Sequence, residues 1–229
     1  MSDTVLYIGN KRFSSWSLRG WLACRLAGLA FREVTIPLDQ PDTEAELGKV
    51  SPTAKAPCLH HDGKVIWDTM AIAEYCAEMK PGLWPEDAAA RARARAISAE
   101  MHSGFGELRK AMWMDVARRW PGKGRTKGAL ADIKRITAVW TDTRRRFGEG
   151  GSFLFGKDFN LADAFYAPVA ARFVTWSPDL PNDAVAYVDA VWSHPLMREW
   201  IKGAQAETFT APRYETPPEI GRASCRERV

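Results

Sequence analysis

The amino-acid sequence predicts an α/β domain followed by an all-helical domain. From Thr4 to Lys80, short apolar runs alternate with helical patterns, which is typical of an α/β unit. A stretch rich in Pro and Gly follows, and beyond it the sequence carries helical patterns and no strand signals. We therefore expect a first domain over 1–81, a linker over 82–88 and a helical domain over 89–211.

In the first domain, strands are predicted at 4–9, 31–38, 57–60 and 64–67, and helices at 15–27, 41–50 and 70–79. Asp62-Gly63 between the last two strands is a strong hairpin signal, so these strands should be antiparallel. Gly28 can end the first helix, and Asp68 can cap the last one. The order β-α-β-α-β-β-α is the plan of a thioredoxin-like domain.

In the second domain, helices are predicted at 86–118, 126–147, 160–177, 183–192 and 195–206. Two loops rich in Gly, GKGRTKG and GEGGS, separate the second of these helices from its neighbours. Asn160 and Asp163 stand three residues apart before an apolar helix, which predicts a structural capping box.

The last residues have a different composition from the rest. A tail is predicted over 212–229, and its end, EIGRASCRERV (219–229), resembles the translation of a sequencing adapter. We exclude that segment from fold reasoning, with a natural basic tail as the alternative.

Composition excludes several classes of protein. The chain of 229 residues is 46% hydrophobic and 26% charged, and it has no apolar run of the roughly 18 residues that span a bilayer, so we expect a soluble globular protein. The net charge of +4 comes with no nucleic-acid motif. The four cysteines show no CxxC spacing, which argues against a zinc site or a disulfide framework. The N-terminus shows no secretion signal, so we expect a cytoplasmic protein.

One motif, FSSWSLRGWLA, lies where the first strand leads into the first helix. A hydroxyl at a helix N-terminus can stabilise a thiolate, because the hydroxyl donates a hydrogen bond and the helix dipole favours negative charge. The alternative is that these serines only cap the helix.

The motif resembles the SSCSxR signature of the zeta class of cytosolic glutathione S-transferases. Ser14, Ser15, Ser17 and Arg19 match it, and Trp16 replaces the cysteine. The order of a thioredoxin-like and a helical domain resembles this family over nearly the whole chain, which suggests a bacterial member of the serine type. The resemblance implies that glutathione is a co-substrate and that Ser14, or else Ser15, holds it as a thiolate.

The resemblance also implies a glutathione site. A cis bond between Ala56 and Pro57 would turn the main chain of Ala56 toward glutathione, although Pro57 could simply begin an edge strand. Thr69 at a helix N-terminus would hold the γ-glutamyl carboxylate, and Asp68 would pair with the neighbouring ammonium. The family has Glu or Gln followed by Ser there, so the side chain of Asp68 has a shorter reach. Lys55 is a candidate for the glycine carboxylate, or else a solvated lysine.

We expect a pocket for the electrophile in the helical domain. His102, Phe105, Arg109 and Trp113 are spaced by three and four residues, so they should share a helix face, unless this stripe is core. Arg172 aligns with a family arginine that faces the substrate, with a surface salt bridge as the alternative. The predicted pocket consists of Trp16, His102, Phe105, Arg109, Trp113, Arg172 and Trp176.

These residues predict a glutathione S-transferase with a detoxification role that attacks a small hydrophobic or carboxylated electrophile. The alternatives are a zeta-like maleylacetoacetate isomerase and a non-catalytic protein of the same fold. Trp16 counts against the isomerase, because its ring would narrow the pocket beside the sulfur. Family analogy suggests a homodimer, and we expect no metal, nucleic acid or membrane partner.

Overall fold

A computed structural model describes residues 4–215 of the chain. The predicted artefact over 219–229 lies outside the described residues. The strands are β1 (Val5–Ile8), β2 (Arg32–Thr35), β3 (Cys58–His61) and β4 (Lys64–Trp67). Between and after them lie the helices α1 (Ser15–Leu26), α2 (Thr43–Gly48) and α3 (Thr69–Met79). The predicted thioredoxin-like order is confirmed.

The four strands form one mixed sheet in the order β2-β1-β3-β4. β1 pairs parallel with β2 and antiparallel with β3, and the predicted hairpin of β3 and β4 is antiparallel. In β1, Leu6 and Ile8 are fully buried in the hydrophobic core. Alternate residues of a strand point to one face, so this face of the sheet is the covered one.

Helix α1 connects the sheet to the rest of the molecule. Its buried residues include Leu18, Trp21 and Leu22, and it packs against α3. Gly28 follows its C-terminus with a φ of 73°, and the amide of Leu29 donates to the carbonyl of Cys24. These features form a Schellman motif, which glycine favours because it adopts positive φ without a steric penalty.

The remaining helices come from the second half of the chain: α4 (Ala88–Ser103), α5 (Gly106–Ala111), α6 (Lys127–Phe147), α7 (Leu161–Trp176), α8 (Asn182–Ser193) and α9 (Pro195–Ala206). Helix α7 is apolar on nearly every side and lies at the centre, where it packs against α1, α4 and α8. An apolar surface all round is typical of a buried helix. The packing of α1 on α7 brings the start of α1 next to the helical half.

The prediction of one continuous helix over 86–118 is wrong. The chain breaks between α4 and α5, and it runs without regular helix from Met112 to Thr126. A Cβ on Gly104 would lie 2.7 Å from the carbonyl oxygen of Glu100, and Phe105 adopts a left-handed conformation with φ of 60°. A left-handed residue cannot continue a right-handed helix, so the direction of the chain changes here.

None of the helices within residues 4–215 combines the length and apolar character needed to cross a membrane. Three cysteines, Cys24, Cys58 and Cys76, are buried as free thiols.

Candidate functional site

The two predicted serines at the start of α1 point in different directions. Ser14 is the N-cap, and its Oγ accepts a hydrogen bond from the amide of Ser17 at 3.2 Å. The same hydroxyl donates to Oγ of Ser17 at 2.7 Å, and Ser17 in turn accepts the amide of Gly9 at 2.9 Å. Ser14 therefore faces back toward the end of β1.

Ser15 instead faces the helical half of the molecule. Its Oγ accepts a hydrogen bond at 3.3 Å from Nη2 of Arg172, which lies on α7. The other terminal nitrogen of Arg172 donates to the carbonyl of Met112 at 2.6 Å. Both side chains are buried, since Ser15 is 7% exposed and Arg172 is 3% exposed. The predicted surface salt bridge for Arg172 is therefore not what the structure shows.

Trp16 is the centre of the predicted electrophile pocket. The guanidinium carbons of Arg19 and Arg109 lie 4.8 and 4.9 Å from its ring centroid, within the range of cation–π interactions. The ring of His102 meets the Trp16 ring edge-on at 5.0 Å. His102 and Arg109 therefore meet at Trp16, although they lie on two helices and not on the one helix face that we expected.

Three buried guanidiniums, those of Arg19, Arg109 and Arg172, lie close to one another near the start of α1. Arg19 donates from Nε to the carbonyl of Phe165 at 2.9 Å, and Arg109 donates to main-chain carbonyls that include that of Gly104. Burial lowers the pKa of Arg19 well below its ordinary value, and the charges of Arg109 and Arg172 lower it further. Like charges repel in a poorly solvated site, so a negative group beside them is electrostatically favoured.

The predicted main-chain site begins at a cis peptide bond between Ala56 and Pro57, as expected. The buried ring of Pro57 packs against α1, where a Cβ on Gly20 would lie 2.7 Å from Cγ of Pro57. Only glycine allows this close approach of the helix. Lys55 is exposed two residues before Pro57.

Asp68 and Thr69 begin α3 as predicted. Oδ1 of Asp68 accepts the amide of Met70 at 2.7 Å, so Asp68 is the N-cap. His102 reaches both residues: its Nε2 lies 3.3 Å from Oδ2 of Asp68, and its Nδ1 lies 3.3 Å from Oγ1 of Thr69. The hydrogen bond with His102 is the main reason why the pKa of Asp68 is lowered. His102 therefore connects the start of α3 to Trp16.

The other aromatic residues of the predicted pocket lie deeper. Trp176 is fully buried, and its ring meets that of Trp113 at 5.0 Å while its Nε1 donates to the Trp113 carbonyl. Phe105 belongs to the hydrophobic core. The structure thus brings Ser15, Trp16, His102, Arg109 and Arg172 into one connected group, with Trp113 behind it and Trp176 and Phe105 in the core.

Known proteins resemble this chain in sequence. Residues 13–79 match the model of the glutathione S-transferase N-terminal domain. A probable maleylacetoacetate isomerase of Caenorhabditis elegans is 29% identical over 203 residues, which cover 83% of this chain and 92% of that protein. The matched segment therefore resembles the N-terminal domain of glutathione S-transferases.

Solved structures show that the glutathione transferase fold covers most of the chain. A glutathione transferase homologue from Burkholderia, solved with bound glutathione, aligns with a TM-score of 0.68 at 23% identity and covers 89% of this chain and 99% of its own. A bacterial maleyl pyruvate isomerase, described as a zeta-class glutathione S-transferase, aligns with a TM-score of 0.68 at 21% identity over the same shares. The predicted architecture is therefore confirmed.

Within this glutathione transferase fold, several residues of the site were absent from the predicted set. Ser17 and Arg19 belong to the motif without a predicted role, and Gly20 is outside the predicted site. A signal for Arg19 was available, because it interrupts an apolar helix one turn after Ser15. Arg12 and its buried partner Asp115 carried no local signal, since 103 residues separate them in the sequence.

Proposed function

We propose that this protein is a glutathione S-transferase that binds glutathione against the start of α1 and attacks a small electrophile with the ionised sulfur. One observation carries the proposal: the hydroxyl of Ser15, at the N-terminus of α1, accepts a hydrogen bond from the buried guanidinium of Arg172 on α7. Hydrogen bonding, the helix dipole and nearby positive charge all favour the thiolate. An unperturbed cysteine thiol has a pKa of about 8.5, so a shift of about 2 units would ionise most of it at neutral pH.

The rest of the tripeptide would lie along the residues that lead to α3. The carbonyl and amide of Ala56 beside Pro57 would pair with the main chain of the glutathione cysteine. Thr69 would hold the γ-glutamyl carboxylate at the N-terminus of α3, and Asp68 would hold its ammonium. Lys55, which is exposed, would reach the glycine carboxylate from solvent.

The electrophile would lie over Trp16, between His102 and Arg109. Because Arg19, Arg109 and Arg172 are buried close to one another, we expect it to carry a carboxylate. Binding of both reactants next to each other would lower the activation barrier by proximity.

Glutathione-dependent isomerisation of a carboxylated cis-alkene, as in maleylacetoacetate, is a second candidate. It is favoured by the similarity to the nematode isomerase and by the same buried arginines. In that reaction the thiolate adds to the double bond and later leaves, so glutathione is regenerated. The ring of Trp16, which contacts the guanidiniums of Arg19 and Arg109, would limit the size of the substrate.

The test is a titration with glutathione at several pH values, followed by the ultraviolet absorbance of the thiolate. S-methylglutathione is the matched control, because it binds through the same tripeptide contacts but cannot ionise. Binding of both ligands, with a thiol pKa about 2 units below the solution value, is the expected result. A protein that binds neither ligand would instead be a non-catalytic member of the fold.

Turnover then separates the two candidate reactions. Conjugation of 1-chloro-2,4-dinitrobenzene consumes glutathione, whereas isomerisation of maleylacetoacetate leaves its concentration constant. We also propose a cytoplasmic homodimer, and a mass measurement in solution tests the oligomeric state.

A further inference from the structure

One imidazole ring contacts both residues that the proposed function assigns to the γ-glutamyl end of glutathione. Nε2 of His102 lies 3.3 Å from Oδ2 of Asp68, where the ammonium would bind. Nδ1 of the same ring lies 3.3 Å from Oγ1 of Thr69, which would hold the carboxylate. His102 belongs to the last turn of α4, in the helical half. A side chain from the second half of the chain therefore takes both hydrogen-bond positions that the γ-glutamyl group would need.

The exposure of these side chains shows that the ring covers the site. Thr69 is only 2% exposed, so its hydroxyl is out of reach of a ligand in solvent. His102 contacts this hydroxyl and keeps 23% of its own side chain exposed, so the ring is the outer of the two groups. A ligand carboxylate can reach Oγ1 of Thr69 only after the ring has moved.

The direction of the hydrogen bonds leads to the same conclusion. A carboxylate only accepts, so the contact with Asp68 assigns a proton to Nε2 of His102. In a neutral imidazole Nδ1 is then an acceptor, and the hydroxyl of Thr69 donates its proton to the ring. That proton is not available to a ligand carboxylate while the contact lasts. The hydrogen bond with His102 is also the largest cause of the lowered pKa of Asp68.

Movement of this ring affects the predicted electrophile pocket as well. The ring of His102 meets that of Trp16 edge-on at 5.0 Å and lies 6.3 Å from that of Phe165. The guanidinium of Arg109, which contacts Trp16, donates to the carbonyl of Gly104, two residues after His102. A ligand that moves His102 at the start of α3 therefore changes one wall of the pocket around Trp16.

We propose that His102 closes the γ-glutamyl site until glutathione binds, and that the γ-glutamyl group displaces its ring from Asp68 and Thr69. The inference rests on the proposed function and adds a regulation of the same site. The ligand ammonium then replaces Nε2 of His102 at Asp68, and the ligand carboxylate accepts the proton of Thr69. A ligand that needs an open site binds more weakly in proportion to the fraction of molecules that are open. His102 thus lowers the affinity for glutathione but not for ligands without a γ-glutamyl group.

The first experiment measures Kd by calorimetry for S-methylglutathione and for S-methylcysteinylglycine, which lacks the γ-glutamyl group. His102→Ala should bind S-methylglutathione about tenfold more tightly than wild type, because the hydrogen bonds of the ring no longer have to be broken. Its Kd for S-methylcysteinylglycine should equal that of wild type. His102→Gln keeps one donor and one acceptor, and its Kd should be closer to that of wild type than to that of His102→Ala. Ser103→Ala, exposed at the same end of α4, is the control.

The second experiment observes the displacement in the wild-type protein by NMR of the histidine side chains. The chain has four histidines, and the signals of His102 are those that disappear in His102→Ala or His102→Gln. S-methylglutathione should shift the signals of His102, because the ring leaves Asp68 and Thr69. S-methylcysteinylglycine should leave them in place.

The outcomes separate this inference from the proposed function. If wild type binds S-methylglutathione but His102→Ala binds it equally or more weakly, the inference is overturned and the proposed function stands. The same holds if S-methylglutathione binds without a shift of the His102 signals. If wild type binds neither glutathione nor S-methylglutathione, the proposed function is overturned and the inference with it.

Discussion

At the scale of single residues, Asp68 combines an unfavourable backbone with several interactions. Its φ is 73° and its ψ is 136°, a backbone conformation that residues other than glycine rarely adopt. Such a residue costs on the order of 1–3 kcal/mol and persists where the surrounding structure determines it. Asp68 caps α3 and pairs with His102, and the hydrogen bond with His102 lowers its pKa below the ordinary value. The strain makes this turn a candidate functional position.

We predict that Asp68→Asn weakens glutathione binding about tenfold or more, with a smaller effect on kcat. Asparagine tolerates positive φ and still caps the helix, so the substitution mainly removes the negative charge that would hold the ammonium. A hydrogen bond to a charged group contributes about 1.5–3 kcal/mol, which gives the expected size. KM for glutathione and its Kd from calorimetry measure the effect, and Asp189→Asn on the exposed side of α8 is the control. An unchanged KM would mean that Asp68 serves only α3 and His102.

The sequence identified most of the residues of the site but not their partners. The motif placed both serines at the start of a helix, because capping depends on neighbouring residues. It did not show that Arg172, 157 residues away, contacts Ser15 and not Ser14. That distinction depends on how α7 packs against α1, and no local pattern encodes it.

At the scale of elements, the capping box of α7 carries a buried charge. Asp163 accepts the amides of Asn160 and Leu154 and the hydroxyl of Tyr187, and it is completely buried. Burial raises its pKa to about 6, while its hydrogen bonds lower it in part. Because the folded pKa lies above the unfolded value of about 3.9, this group contributes stability that is complete below pH 4. The contribution is lost as the pH rises through about 6.

We therefore predict that wild type gains stability relative to Asp163→Asn when the pH falls from 7 toward 4.5. The asparagine does not titrate, so the difference between the two proteins isolates Asp163 from the other acidic groups. The expected gain is on the order of 2 kcal/mol, since one pKa unit corresponds to about 1.4 kcal/mol. Urea unfolding of both proteins at several pH values measures it. A difference that does not change with pH would mean that Asp163 is already ionised across this range.

The spacing of apolar residues predicted most helices and strands, because an element that buries one face repeats apolar residues at the period of that face. The strands and the helices α6 to α9 lie within a few residues of their predicted bounds. The break after α4 was missed because Gly104 and Phe105 are compatible with a helix in isolation. Phe105 becomes left-handed where its ring joins the core, and this preference comes from tertiary packing.

At the scale of the whole molecule, one ion pair joins the loop before Ser14 to the helical half. Arg12 donates to both carboxylate oxygens of Asp115, at 2.9 and 3.0 Å, and Asp115 is completely buried. The segment after α9 closes over the same loop. Glu207 accepts the amides of Lys11 and Arg12, and the ring of Tyr214 stacks on Phe13 at 4.9 Å. The position of the candidate site thus depends on contacts between distant parts of the chain.

A double-mutant cycle on Arg12 and Asp115 tests this dependence. Arg12→Met leaves a buried carboxylate whose remaining partners include the amides of Ala117 and Arg118, so we expect a loss of about 3–5 kcal/mol. Asp115→Leu together with Arg12→Met removes both charges and should recover more than 1 kcal/mol relative to Arg12→Met alone. Chemical denaturation gives the four free energies. Because Arg12 lies two residues before Ser14, each single variant should also raise KM for glutathione more than the double variant does. Additive free energies would instead mean that the loop is held by Glu207 and Tyr214 and that the ion pair does not position the site.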